Sequence, residues 1–251
     1  NPATVIIKHA NPCGVASGIS ISQTWENALK CDPNSAFGGI VAINRILTIK
    51  MAKYLTKVFT EVIIAPEIES EAIEIFKSKP NLRLLISGYP KIEKNILFDL
   101  KTINGGFIIQ DKDDFLLKTK NLKVVTKRKP SEKEIEDLLF AWKVSKHVKS
   151  NAIVYAKNEI AFGIGAGQMS RIDSAKIASQ KTIETGNYST QNSVVASDAF
   201  IPFPDTLKEI SKQGAKALIQ PGGSIKDKEI IELANTLNLA MIFTSYRHFN
   251  H

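Results

Sequence analysis

The chain has 251 residues, 43% of them hydrophobic and 23% charged, with a formal net charge of +8 at pH 7. This is globular composition, with apolar material for one large core or two small ones; no run reaches the roughly 18 apolar residues of a membrane span, and the first residues lack signal-peptide order. The positive balance suits an anionic partner, either a nucleic acid or a small phosphorylated or carboxylated ligand.

The first predicted element is a buried strand over Val5-Ile6-Ile7, ending at Lys8-His9 and then at the turn chemistry of Asn11-Pro12. Two ionisable side chains thus stand at a strand end, where ligands of α/β sheets commonly sit, although either could be an ordinary surface group. With Asn1 directly before this strand and no initiating methionine, the chain reads as part of something longer. The only cysteines, Cys13 and Cys31, are too few for a disulfide framework and fit a reducing, cytosolic compartment. The zinc-deaminase signature fails, since His9-Ala10-Asn11 lacks the Glu and Ala16 stands where a second thiolate belongs after Pro12-Cys13. Two structural thiols and no metal are expected.

Ser22 to Leu29 reads as a capped helix ending by Cys31-Asp32-Pro33. Ser35-Ala36-Phe37-Gly38-Gly39 then feeds the strand Ile40 to Ile43; its small residues serve either a tight turn or close approach of a flat ligand. A helix over 48–57, a strand over 58–65 interrupted by Glu61, a helix over 70–77 and a strand over 82–86 follow. Glu61 must be solvated, paired or part of a site. From Tyr89 to Lys129 the pattern is of short strands, with turns at Asn104-Gly105-Gly106 and over 111–114, and it reads as a β-rich connection. The basic cluster Lys127-Arg128-Lys129 reads as a solvated linker.

Ser131-Glu132-Lys133-Glu134 is a capping box opening a helix with Ile135, Leu138, Leu139, Trp142 and Val144 on one side. Ser150-Asn151 leads into a strand over 152–156, then a turn at Asn158, a second strand, the glycine loop Gly163 to Gln168 and a helix over 171–185. Gln168 occupies the last glycine position of a dinucleotide fingerprint, so a turn presenting Gln168 and Arg171 to a ligand is the better reading. The stretch Val194 to Asp205 combines a strand with Phe200, Pro202, Phe203 and two carboxylates, either a rigid turn or an aromatic wall beside Asp205. A helix over 206–213, a strand over 217–220, the turn Pro221 to Ser224, a helix over 226–238 and a strand over 239–244 precede the tail Tyr246 to His251. Its Arg and His residues suit a tail tied into a site. The element order gives an α/β class with mixed sheets in two similar halves, without a clean sequence repeat.

Several motifs occur together: Lys8-His9-x-Asn11-Pro12-Cys13-Gly14, Ser35 to Gly39, Ile63 to Pro66, Ser150 to Ile153, Gly163 to Arg171, Ser197 to Phe200 and Gln220 to Ser224. In this order they resemble the transformylase domain of the bifunctional purine biosynthesis family that joins AICAR formyltransferase to IMP cyclohydrolase, over nearly the whole chain. The resemblance implies two cytidine-deaminase-like three-layer α/β/α subdomains without zinc, over 1–128 and 129–251. It implies formyl transfer from 10-formyltetrahydrofolate to the 5-amino group of AICAR, in a cytosolic homodimer with active sites at the interface.

By that resemblance His9 is the base and Lys8 its partner. Asn151 and Arg171 would orient AICAR, Glu61 would hold the ribose hydroxyls and Arg247 the phosphate, with Phe200 and His251 also on the substrate. Phe37, Ile172, Pro202, Phe203 and Asp205 would line the folate side. The family's Arg-Tyr-Gly-Glu-Asn-Pro-His-Gln motif and the cyclohydrolase domain are absent. Asn250 replaces one terminal histidine, and Lys79-Pro80 stands in place of a longer lysine run. Two other readings stand beside this one: an inactive dimerisation fragment, and a basic nucleic-acid-binding module, for which the sequence lacks interleaved basic and aromatic residues.

Overall fold

A computed structural model describes residues 1–89, 98–117 and 119–251. The chain opens with a hairpin. β1 (Ala3–Lys8) and β2 (Asn11–Ser17) pair antiparallel, with Lys8 opposite Asn11. His9 and Ala10 form the whole turn at φ 48° and 63°, the left-handed pair that matches the twist of two antiparallel strands. The turn therefore lies before Asn11-Pro12, which the sequence reading had made the turn itself. Pro12 is accommodated because the register slips beside it, between Ile6 and Ile7.

α1 (Ile21–Cys31) is capped by Ser20, which accepts from the Gln23 amide, two residues before the Ser22 start expected. Asp32 then caps a single helical turn, α2 (Pro33–Ala36), rather than merely ending α1. β3 (Gly39–Ile43), α3 (Ile49–Leu55), β4 (Thr60–Ala65), α4 (Ser70–Phe76) and β5 (Arg83–Ile86) follow. In the connection, β6 (Phe98–Ile103) and β7 (Gly106–Asp111) form a separate hairpin around Asn104-Gly105, and β8 (Lys123–Val124) is short. Part of the expected β-rich stretch, 90–97 and 118, lies outside the described residues.

The second run is α5 (Glu132–Ser145), β9 (Ile153–Lys157), β10 (Ile160–Gly165), α6 (Arg171–Thr185), β11 (Val194–Ser197), α7 (Pro204–Lys212), β12 (Ala217–Gln220), α8 (Asp227–Thr236) and β13 (Ala240–Phe243). The capping box predicted at Ser131 and Glu134 is present in both directions. Pro204 and Asp205 belong to the first turn of α7 rather than to a preceding turn. Arg128, expected in a solvated linker, is half-buried and held by the Glu134 carboxylate at 2.6 Å and the Lys216 carbonyl at 2.9 Å.

Eleven strands make one mixed sheet in the order β5-β4-β3-β1-β2-β10-β9-β11-β12-β13-β8. It contains a repeat that side-chain patterning did not reveal. In each half a hairpin (β1–β2, β9–β10) is followed by a helix. The next strand returns antiparallel to the hairpin's first strand (β3 on β1, β11 on β9), and two parallel strands are added outward through helical crossovers. The halves meet where β2 pairs with β10.

Buried side chains fall into three clusters. Ile6, Val41 and Ile63 meet Trp25 and Met51 from α1 and α3 on one face of the first half. On the same face of the second half Ile153, Tyr155 and Val195 meet α6, α7 and α8. On the opposite face Val154, Val194 and Ile219 pack under Leu138, Ala141 and Trp142 of α5. Each fully buried aliphatic side chain contributes about 1.5–3 kcal/mol.

Two glycines set how closely the helices approach. A Cβ on Gly14 of β2 would stand 2.1 Å from the Ala28 carbonyl oxygen of α1, and one on Gly165 of β10 would stand 1.9 Å from the Ser174 carbonyl oxygen of α6. The same contact occurs once in each half, between the hairpin's second strand and the helix that follows.

Candidate active site

The end of β1 fixes Lys8. Its ammonium donates to the carbonyls of Phe37 (2.9 Å) and Gly38 (3.0 Å), which the short α2 and the left-handed Gly38 turn present to it. An ammonium has three donors, so one remains for a ligand. His9 is exposed at the tip of the hairpin, and no described residue hydrogen-bonds its ring.

Lys8 and His9 border a cleft of about 250 Å³ at the junction of the halves. Asp32 and Ser35 line it from the first half, and Ile164 and Lys181 from the second. The Lys181 ammonium donates to Asp32, which also accepts from the Ser35 hydroxyl at 2.7 Å. Burial pushes the Asp32 carboxyl up, but hydrogen bonds from Lys181 and Ser35 outweigh it and hold it below the ordinary value. Cys13 borders the cleft too. Burial is the main cause that raises its thiol to about 12, and Cys31 is also raised chiefly by burial, so both are protonated and unreactive at neutral pH.

From the hairpin a network runs into the second half. The Asn11 side-chain oxygen accepts from the Lys149 amide at 2.9 Å. The Lys149 ammonium donates to the Asn250 side chain and to the His251 carbonyl. Ser150 and Asn250 exchange two further bonds, so the tail is tied down, as its composition suggested. Asn151 donates through its amide to the carbonyls of Gln168 (2.8 Å) and Met169 (3.1 Å), fixing the glycine loop that starts α6.

Arg171, the first residue of α6, donates to the Ser197 hydroxyl at 3.1 Å and to Asp198 at 3.2 Å. The Asp198 carbonyl in turn accepts from the His248 amide, which draws the tail against the same loop. Phe200, Pro202, Phe203 and Asp205 follow directly in the chain. Asp205 Oδ1 accepts from the Thr206 amide, and Lys226 lies over the Phe203 ring at 5.0 Å. Arg247 is exposed, with its guanidinium 4.7 Å from the Phe249 ring centre, and His251 is exposed beside Phe249. Ile172 is half-buried in the first turn of α6.

Two expected residues stand apart from this network. Glu61 is paired with Arg83 at 3.1 Å and does not line the Lys8–His9 cleft. The exposed Phe37 ring leans on Phe59 at 5.1 Å, and its place in the site comes from the backbone carbonyl it offers to Lys8.

Several contributors were not found in the sequence. Asp32, Lys149 and Lys181 take part in bonds between the halves, beside those from Asn187 to the Lys30 carbonyl and Tyr188 to the Asn27 carbonyl, and Asn11, read only in a turn and a motif, accepts one of them. Asp113 binds the imidazole of His248, which is buried against Trp142, and Lys146 approaches Asp113 at 3.6 Å. Burial lowers the His248 pKa, and Asp113 only partly opposes that. Among the described residues no group of three or more His, Cys, Asp or Glu could hold a metal ion, and no helix is long and apolar enough to cross a membrane.

Comparison with known proteins matches the sequence to one family. The family model described as AICARFT/IMPCHase bienzyme matches residues 1–181. The chain belongs to the AICARFT/IMPCHase bienzyme family. It is 53% identical to the bifunctional purine biosynthesis protein PurH of Rhodospirillum rubrum, over 100% of this chain and 49% of that protein. It is 52% identical to the PurH proteins of Rhizobium rhizogenes, over 100% of this chain and 48% of that protein, and of Bartonella henselae, over 99% and 47%. The chain thus spans about half the length of the curated bienzyme relatives it matches.

Proposed function

We propose that this chain is the AICAR formyltransferase part of a bifunctional purine biosynthesis enzyme, with 10-formyltetrahydrofolate as formyl donor. The observation that supports this most is the pairing of Lys8 and His9 on a cleft at the junction of the halves, with Asn11 connecting it to Lys149, Asn151 and the tail. A cleft lined by Lys8 and Lys181, with Lys149 bonded to its Asn11, suits a phosphorylated substrate and a carboxylated cosubstrate.

The attacking 5-amino nitrogen is weakly nucleophilic because its lone pair is conjugated with the imidazole carboxamide. As it bonds to the formyl carbon, His9 removes its proton, and the bond from that carbon to the folate nitrogen breaks as that nitrogen gains a proton. Lys8, oriented by two carbonyls, directs its third N–H at the formyl oxygen as negative charge develops, or returns the proton to the leaving nitrogen. Asn151 and Arg171 orient the carboxamide, Glu61 holds the ribose hydroxyls on releasing Arg83, Arg247 and His251 meet the phosphate side, and Phe200 packs on the substrate. Phe37, Ile172, Pro202 and Phe203 flank the folate, with Asp205 accepting from pterin N–H groups.

The repeated strand order supports a reading as two cytidine-deaminase-like subdomains, 1–128 and 129–251. We place the enzyme in the cytosol as a homodimer with active sites at the interface, the cyclohydrolase activity residing in the remainder of the full-length protein. In that protein, His9→Ala should abolish formyl transfer while AICAR binding, followed by calorimetry, persists. Wild-type turnover in this variant overturns His9 as the base.

A further inference from the structure

The repeat is complete except for one helix. On one face of the sheet α1, α3 and α4 of the first half correspond to α6, α7 and α8 of the second, each following the equivalent strand. On the other face the second half has α5, and among the described residues the first half has nothing. One cross-sheet row shows the difference. Ala156, Ala161 and Val15 belong to the cluster under α5, and the same row continues through Val5, Ala42, Ile64 and Leu85.

There the floor is open. A groove of about 830 Å³ runs between Val5, Ile7 and Ala42 on the sheet and Phe140 and Val144 on the flank of α5, with His147 just beyond the helix end. An apolar sheet face of this extent is normally covered.

α5 enters the fold immediately before its hairpin, with only residues 146–152 between it and β9. By the same order the missing counterpart precedes β1. The curated relatives are about twice as long as this chain, so chain is available to supply it. We infer that a helix about as long as α5, 14 residues, lies N-terminal to Asn1 in the full-length protein and fills this groove beside α5.

The inference extends to the catalytic turn. In the second half the Asp137 carboxylate of α5 accepts from the amides of Asn158 (2.9 Å) and Glu159 (2.7 Å), the two left-handed residues of the β9–β10 turn. The His9–Ala10 turn has the same two-residue, left-handed form, yet no described side chain accepts from its amides. The seated helix brings its counterpart of Asp137 over that turn and so fixes the backbone that carries His9.

The test uses the full-length protein with Phe140 replaced by p-benzoylphenylalanine, irradiated as a mixture of ¹⁴N- and ¹⁵N-labelled chains. Adducts within one chain to the segment just before Asn1 are expected. Adducts to a second copy, or to any segment other than that one, overturn the inference. Ala42→Cys gives an independent reading should the first variant fail to fold. Maleimide should label it at least tenfold more slowly in the native full-length protein than in urea, at a rate independent of protein concentration. Labelling at the unfolded rate, or protection that fades on dilution, overturns it.

Discussion

Lys8 uses two of its three donors on consecutive carbonyls, a geometry suited to a compact ammonium and poorly suited to a planar guanidinium. Lys8→Arg is therefore expected to lower kcat for formyl transfer by about 100-fold, on the scale of losing one oriented donor, measured in steady-state turnover. Asp32 carries a pH prediction. Its folded pKa lies below the unfolded value of about 3.9, so its pairing contributes stability above that value and loses it as pH falls through the folded value. Asp32→Asn should flatten the fall of the urea midpoint on acidification below about pH 4. His248, lowered chiefly by burial, contributes stability fully above about 6.5 and loses it as pH falls toward the folded value. His248→Leu should reduce the loss of stability between ~pH 7 and ~pH 5, with Asp113, Asp198, Lys146, His147 and Tyr246 remaining around it. Lys8 and His9 were legible because they end an apolar run. Lys181 was not, because its partner Asp32 lies 149 positions away.

At the scale of elements, propensity and capping rules read most helices within a few residues, since their signals are local. The Ser131–Glu134 box is one such signal. The missed start of β2 has a physical cause, because Asn11-Pro12 carries turn chemistry while the turn was taken by His9-Ala10, residues with no turn preference. Tertiary pairing to β1 and β10 overrode local preference there. The glycines are a sharper matter. Gly165 read as part of a glycine loop and Gly14 only as the end of a motif, whereas both lie in strands, and only the packed helix shows that a Cβ on each would stand about 2 Å from a carbonyl oxygen. Gly165→Ala should cost about 3 kcal/mol in denaturant unfolding, an overpacking penalty against backbone that cannot rotate away. A variant unfolding like wild type would show that α6 can withdraw from β10.

For the whole molecule, the mixed α/β class was legible from element order, whereas the repeat of strand order was not. Its halves share strand order and turn geometry but not side chains, and only hydrogen-bond pairing displays it. The proposed homodimer makes a prediction at this scale. Light scattering of the full-length protein should return twice the chain mass through the concentration range used for turnover, and a monomer with full activity would place the complete site in one subunit.

The join between the halves has a mechanical consequence. The ladder between β2 and β10 holds only two residue pairs, Ala16 with Ile160 and Val15 with Ala161, whereas β9 and β10 share five. Pulled apart at β5 and β13, the sheet should tear first along this narrow line, because fewer bonds must break there together; the end strand β8 is paired to β13 at two positions as well. The cleft bordered by Lys8 and His9 lies across the same line, with the Lys181–Asp32 pair as a clasp between its two banks. A small yielding of the sheet there changes the width of the cleft more than the shape of either half.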